Sequence, residues 1–411
     1  MKKKLIILYP FPFSKFNFFQ FSFDLLKKKN VKVEIHNLSD LFISKKFQDV
    51  WKLEEYKLQS IKFKNIFSWF FYIIKEPPNT FILNCTNQNI NSINFFIIKI
   101  ILSLKGFKVF IYDVIDIINI KPKKNFNFFY QKVFKQYKFD LFFYFNFIKK
   151  FIFYYLDKIH EFKNEIILTN TIKKNQNDLS NKIIRNIHSF DYSNFLRSVN
   201  KIKKNKYFVY LDAGYPYFAG DYYLDRSKNF NFNEILIKEY IKRLNHFFHF
   251  IEKKFKKKVL VVPHPKFRLI NKKKNFSFFN NFSNFKNFNK IDTNDAVREA
   301  YCVLINTDTT SLSFAILNYK PIIFLDSEMT RYSRTINHNL NLKKMLTLLK
   351  IRSFDLNQAH LINKQDITFN KIVYDKYKFL FLQNPNLKIS NKNNAELIYE
   401  LLQEKSTIKK M

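Results

Sequence analysis

The chain is 411 residues long, 47% hydrophobic, and carries a formal charge of +38. Its length suits two domains rather than one core. So basic a chain would ordinarily point to a polyanionic partner. Here the lysines are spread throughout, Phe rises to 53 while Gly falls to 3 as A+T-rich coding would bias them, and no RNP, zinc-finger or helix-turn-helix signature supports a nucleic-acid partner.

The opening M-K-K-K-L-I-I-L-Y-P is basic and then apolar, but Pro10 breaks the run short of a secretory core and no small-residue cleavage site follows, so it reads as a first strand. Strand-like runs stand at residues 4–9, 31–36, 80–84, 108–113, 141–145 and 165–168. Residues 16–29, 90–104 and 127–137 between them are long enough for crossover helices. This alternation predicts a parallel sheet with helices on both faces. The aromatic and basic stretch 125–156 suits a core helix or a segment resting on a membrane surface, but no charge-free run reaches the ~18 residues of a spanning helix. The polar, Lys/Asn-rich residues 172–205 read as an inter-domain linker. Cys85 and Cys302 stand alone in apolar runs without metal-ligand spacing, which fits a reducing cytosol.

A second α/β half begins with a strand at residues 207–211. An amphipathic helix is predicted over 233–255, a strand over 258–262, a Phe/Asn-rich loop over 271–290, a short helix over 292–300 and a strand over 302–306. The segment T-D-T-T-S-L-S-F-A-I-L-N-Y-K-P-I-I-F-L then gives polar cap residues, a helix over 312–319 and a strand over 322–325. A last helix is expected over 394–404.

Three features stand at the carboxyl ends of these strands, where ligands bind in open α/β sheets. Asp212 leaves its strand beside Gly214, one of the chain's three glycines; it suits either a turn that satisfies backbone N–H groups or a carboxylate placed for chemistry. His264 is flanked by Pro263 and Pro265, which hold it extended, so its imidazole is either structural or a donor into the cleft. Thr309, Thr310 and Ser311 open a helix, as simple N-caps or as an anion site.

At these positions the chain resembles a family. V-V-P-H-P-K-F-R (261–268), L-D-A-G (211–214) and N-T-D-T-T-S-L-S-F-A-I-L (306–317) are similar to the His-Pro, acidic-x-Gly and Ser/Thr-rich motifs of bacterial sialyltransferase-like enzymes, GT-B glycosyltransferases that use CMP-activated nonulosonic acids or Kdo. The same combination resembles uncharacterised proteins of O-antigen and capsule gene clusters. The likeness spans roughly residues 207–326, while the first 200 match only in general character.

The resemblance implies an α/β GT-B fold, two Rossmann-like domains facing a central cleft: an acceptor domain with linker over 1–200, a donor domain over 206–385 and a closing helix over 386–411 that packs back on the first. It implies Asp212 as the base on the acceptor hydroxyl and His264 as donor to the departing CMP phosphate. Thr309, Thr310 and Ser311 would hold that phosphate, with Gly214, Pro265 and Arg268 on the donor side. Where such enzymes often carry a second acidic residue before the glycine, this chain has Ala213, leaving Asp212 as the single candidate base. No two aspartates stand two positions apart, so no D-x-D metal motif exists and no cofactor or metal is expected beside the CMP-sugar substrate. G-x-G-x-x-G, the P-loop and G-x-S-x-G are likewise absent. The expected partners are a nucleotide-sugar donor and a surface-glycan acceptor, in the cytoplasm or peripheral at the inner membrane. Two alternatives remain at this point: a CDP-glycerol or CDP-ribitol polyol-phosphate transferase, and a non-catalytic protein binding anionic glycan or lipid headgroups.

Overall fold

The structure, a computed structural model, describes residues 3–13, 17–18, 21–43, 60–86, 93–114, 165–170, 183–197, 205–212, 234–262, 293–307, 309–332, 336–387 and 391–404. The strand expected at 141–145 and the helix at 127–137 lie outside these residues.

The first half builds a seven-stranded sheet from β1 (Lys4–Tyr9), β2 (Lys32–Asn37), β3 (Ser60–Lys62), β4 (Phe81–Asn84), β5 (Lys108–Asp113), β6 (Glu165–Thr169) and β7 (Ile183–Asn186). Every neighbouring pair is parallel and the order is β3-β2-β1-β4-β5-β6-β7. That is the doubly wound Rossmann order, with its switch point between β1 and β4. Because successive strand residues point to opposite faces, β1 feeds two cores at once. Leu5 and Ile7 join Phe23 and Leu26 on one side, where helix α1 (Phe23–Lys28) packs. Ile6 and Leu8 join Trp69, Ile73, Ile98 and Leu102 on the other, under α2 (Ile66–Ile73) and α3 (Ile93–Leu104). Gly106, at φ +68, ends α3 in a left-handed turn that a side chain would strain.

The stretch read as a linker is structured where it is described. Residues 183–186 form β7, and α4 (Phe190–Leu196) places Tyr192 in the core of the second half. Asn and Lys dilute the apolar signal there, although Ser189 accepts from Tyr192 N at 3.2 Å and caps α4.

The second sheet has β8 (Tyr207–Leu211), β9 (Val259–Val262), β10 (Ala300–Ile305), β11 (Ile322–Asp326) and β12 (Arg352–Asp355), all parallel in the order β12-β11-β10-β8-β9. Phe208 and Tyr210 face α5 (Glu234–Phe255). Val209 and Leu211 face the core built with α6 (Thr293–Glu299), α7 (Leu312–Leu317), α8 (Ile336–Leu349) and α9 (Lys371–Tyr377).

The last helix, α10 (Asn394–Gln403), belongs to the first half: Ala395, Ile398, Leu401 and Leu402 are buried with Leu5, Ile7 and Leu26. Asn393 starts it with a capping box, accepting from Glu396 N at 3.2 Å while Glu396 accepts from Asn393 N at 2.9 Å. Two Rossmann-type sheets in tandem, with the final helix returned to the first, make the GT-B class of α/β fold expected from the sequence.

Candidate active site

A parallel sheet exposes its ligand-binding edge where the strand order reverses. In the second sheet β8 lies between β9 and β10, so the strand order reverses between β8 and β10. Leu211 and Ile305 are the last register partners of those strands. The next residues, Asp212 and Asn306, therefore leave the sheet side by side.

Asp212 is held there by its own backbone, which donates from N to Val262 O at 2.9 Å, and only 4% of the residue is exposed. A carboxylate is rarely that buried unless it is paired. Asn306 and Thr307 are buried beside it. Asn306 Nδ2 donates to Tyr240 Oη at 2.9 Å, and Tyr240 Oη lies 3.4 Å from Tyr210 Oη. Two buried tyrosines, one on α5 and one on β8, thus fix the exit of β10. Sequence reasoning missed this support; its one signal was the position of Asn306 directly after a strand in N-T-D-T-T-S.

Thr309, Thr310 and Ser311 follow as a tight turn. Leu312 N donates to Thr309 O at 3.0 Å, Ser313 N to Thr310 O at 3.0 Å and Phe314 N to Ser311 O at 3.2 Å. Within the turn Thr309 Oγ1 accepts from Ser311 N at 3.4 Å. Ser311 occupies the cap position with helical φ and ψ and makes no side-chain cap bond. Among the described residues, the Thr310 and Ser311 hydroxyls have no hydrogen-bond partner, and Thr310 is exposed. Thr309 thus closes the turn before the helix, and Ser311, at the cap position, does not cap it with its side chain. Gly214, His264, Pro265 and Arg268 lie outside the described residues.

Other chemistry finds less support. Burial pushes both the Cys85 and Cys302 thiols far above their ordinary range, so neither is a thiolate nucleophile. Among the described residues no group of three His, Cys, Asp or Glu is gathered as a metal site. A cavity of about 640 Å³ opens between β11, β12 and α8, lined by Phe324, Asp326, Arg331, Lys343 and Lys350, away from the β8/β10 switch point. Its cations are partly spent, since Arg331 pairs with Asp326 at 3.3 Å and with Asp355 at 3.9 Å.

The rim of the first sheet is shaped by two Asx turns. Ser39 N donates to Asn37 Oδ1 at 3.0 Å after β2, and Thr86 N donates to Asn84 Oδ1 at 2.9 Å after β4.

No protein-family model matches the chain, and no curated protein matches it by sequence. Solved structures overlap it along its length. MurG of Acinetobacter baumannii is 9% identical, with 98% of this chain and 100% of that one covered, at a TM-score of 0.41. UGT89C1 of Arabidopsis thaliana is 9% identical over 98% and 99%, at 0.47. The UDP-GlcNAc 2-epimerase of Methanocaldococcus jannaschii is 13% identical over 98% and 99%, at 0.42. The assignment of an α/β protein of the GT-B class rests on the chain's own two parallel sheets and the returned helix α10.

Proposed function

We propose that the protein is a glycosyltransferase that moves a nonulosonic-acid-type sugar, sialic-like or Kdo-like, from a CMP donor to a hydroxyl of a surface glycan, with inversion and without a metal. The observation that carries the reading is the buried Asp212 at the β8/β10 switch point, beside a helix start whose Thr310 and Ser311 hydroxyls are uncommitted. The reaction needs a base on the acceptor side and fixed donors on the leaving-group side. In this reading Asp212 takes the acceptor hydroxyl's proton as its oxygen forms the new bond to the anomeric carbon. The anomeric C–O bond to phosphate breaks, and CMP leaves with both electrons of that bond. The Thr310 and Ser311 hydroxyls receive its phosphate, and the resemblance assigns His264 as a donor to the same phosphate. The CMP donor is supported by the three motifs that resemble sialyltransferase-like enzymes. Action at the cytoplasmic side of the inner membrane belongs to the same reading.

Donor turnover tests it. Release of CMP from a CMP-nonulosonate in the presence of glycan acceptor is the expected result. Consumption of CDP-glycerol or CDP-ribitol instead, with phosphate retained on the product, would replace it by a polyol-phosphate transferase, and turnover of neither would leave a binding protein.

A further inference from the structure

Helices α2 and α3 pack on one face of the first sheet, burying Trp69, Ile73, Ile98 and Leu102. Lys105 Nζ ties their C-terminal ends together by donating to Ile74 O at 2.7 Å. Their outward sides are apolar as well. Phe67 is 69% exposed, Phe71 59%, Leu104 81% and Ile93 54%. These are all the exposed large hydrophobics among the described residues of the first sheet and its helices. Phe67 and Phe71 stand one helical turn apart and so share one side of α2.

Along the two helices themselves the charge has one sign. Residues 63–75 and 93–112 contain no Asp or Glu, while Lys64 and Lys75 are exposed beside α2. The neighbouring Glu76 is already held by Lys4 Nζ at 2.6 Å. Exposed aromatics on an amphipathic surface, with Lys64 and Lys75 exposed beside them, fit the boundary between acyl chains and acidic headgroups. A second copy of this chain fits poorly, because it would bring the same lysines against each other. Among the described residues no helix is long and apolar enough to cross a membrane.

We propose that the outer face of α2 and α3 docks the protein on an anionic lipid bilayer, with Phe67, Phe71 and Leu104 entering at headgroup depth and Lys64 and Lys75 facing the acidic headgroups. This gives the peripheral position in the functional reading a surface, and it is measured without any sugar donor, so either proposal can fail alone.

Flotation of the full-length protein with vesicles of phosphatidylcholine, with and without phosphatidylglycerol, provides the test. The protein is expected to float with the anionic vesicles. Phe67→Ser with Phe71→Ser leaves the charge of +38 unchanged and is expected to lower partitioning about tenfold or more. Lys64→Gln with Lys75→Gln is expected to weaken binding to the anionic vesicles alone. Unchanged flotation of the phenylalanine variant would overturn the proposal, since the charge of the whole chain would then account for binding. A parent dimer that the same variant splits would also overturn it, making the face a self-interface. Thermal unfolding checks that the variant is folded, and Leu104→Ser supplies an independent probe of the same face.

Discussion

Asp212 and Asn306 leave the second sheet from neighbouring strands, each one residue beyond the Leu211–Ile305 register pair, and both are buried. Nothing in the linear sequence joins these two positions. The parallel pairing of β8 with β10 does, and it places a carboxylate and a hydroxyl-rich turn on the two sides of one switch point.

Replacing Asp212 by Asn keeps the shape and removes the base. The variant is expected to lose transfer by roughly 10²- to 10⁴-fold in kcat, with donor affinity and thermal midpoint near the parent's. Normal turnover by this variant would exclude Asp212 as the base.

Tyr240→Phe tests how the β10 exit is held. Removing Oη takes away the hydrogen bond that Asn306 Nδ2 donates at 2.9 Å, and a buried hydrogen bond of this kind contributes about 0.5–1.5 kcal/mol. A shifted urea midpoint with an unchanged slope is the expected result, accompanied by slower transfer. An unchanged midpoint would mean that the tyrosine pair does not hold the turn.

How legible these features were depended on where each strand sits. The central strands β1, β4, β5, β8 and β10 carry hydrophobic runs because both of their faces are covered. β3, β7 and β12 are edge strands of three or four residues, partly solvated and too polar to show a run, whereas β9, the other edge of the second sheet, is a wholly buried V-L-V-V and shows one. Asp212 stood out as a carboxylate released after a strand by a rare glycine. Tyr240 gave no such signal, because its bond to Asn306 spans 66 residues and follows only from the packing of α5.

Two buried histidines predict acid sensitivity. His36 Nδ1 accepts from Trp69 Nε1 at 3.1 Å, so its proton is on Nε2, 3.0 Å from Glu34 Oε1. His188 Nδ1 accepts from Asn384 N at 3.3 Å. Burial lowers the pKa of both, that of His188 to about 4 from 6.5. Glu34 is raised by partial burial, but hydrogen bonds from His36, Lys4 and Tyr72 outweigh this and bring it down to about 2. For a histidine lowered on folding, the unfolded chain binds the extra proton first. The stability from both histidines is therefore complete above pH 6.5 and declines as pH falls, for His188 until about pH 4. Glu34 adds a further decline below about pH 4.5. Unfolding free energies from urea titrations should fall steadily from pH 7 to pH 5, by the order of 2 kcal/mol, and His188→Gln should flatten part of that slope. A constant unfolding free energy would refute the assignment.

The connection between the halves gives the last prediction. Asn394, the first residue of α10, accepts from His188 N at 2.8 Å through Oδ1 and donates to His188 O at 2.8 Å through Nδ2, while its own N donates to Ser193 Oγ at 2.9 Å. One side chain thus satisfies both backbone groups of a buried residue just past β7. Asn394→Ala would leave that N–H and C=O unpaired and is expected to cost about 2–4 kcal/mol, more than its small loss of apolar contact. The effect should be local. Hydrogen exchange is expected to speed up in α10 and at residues 187–189, with the β8–β12 sheet protected as in the parent. Uniform loosening of both sheets would show instead that the two halves unfold as one unit, and unchanged exchange in α10 would show that the buried apolar face of that helix holds it without Asn394.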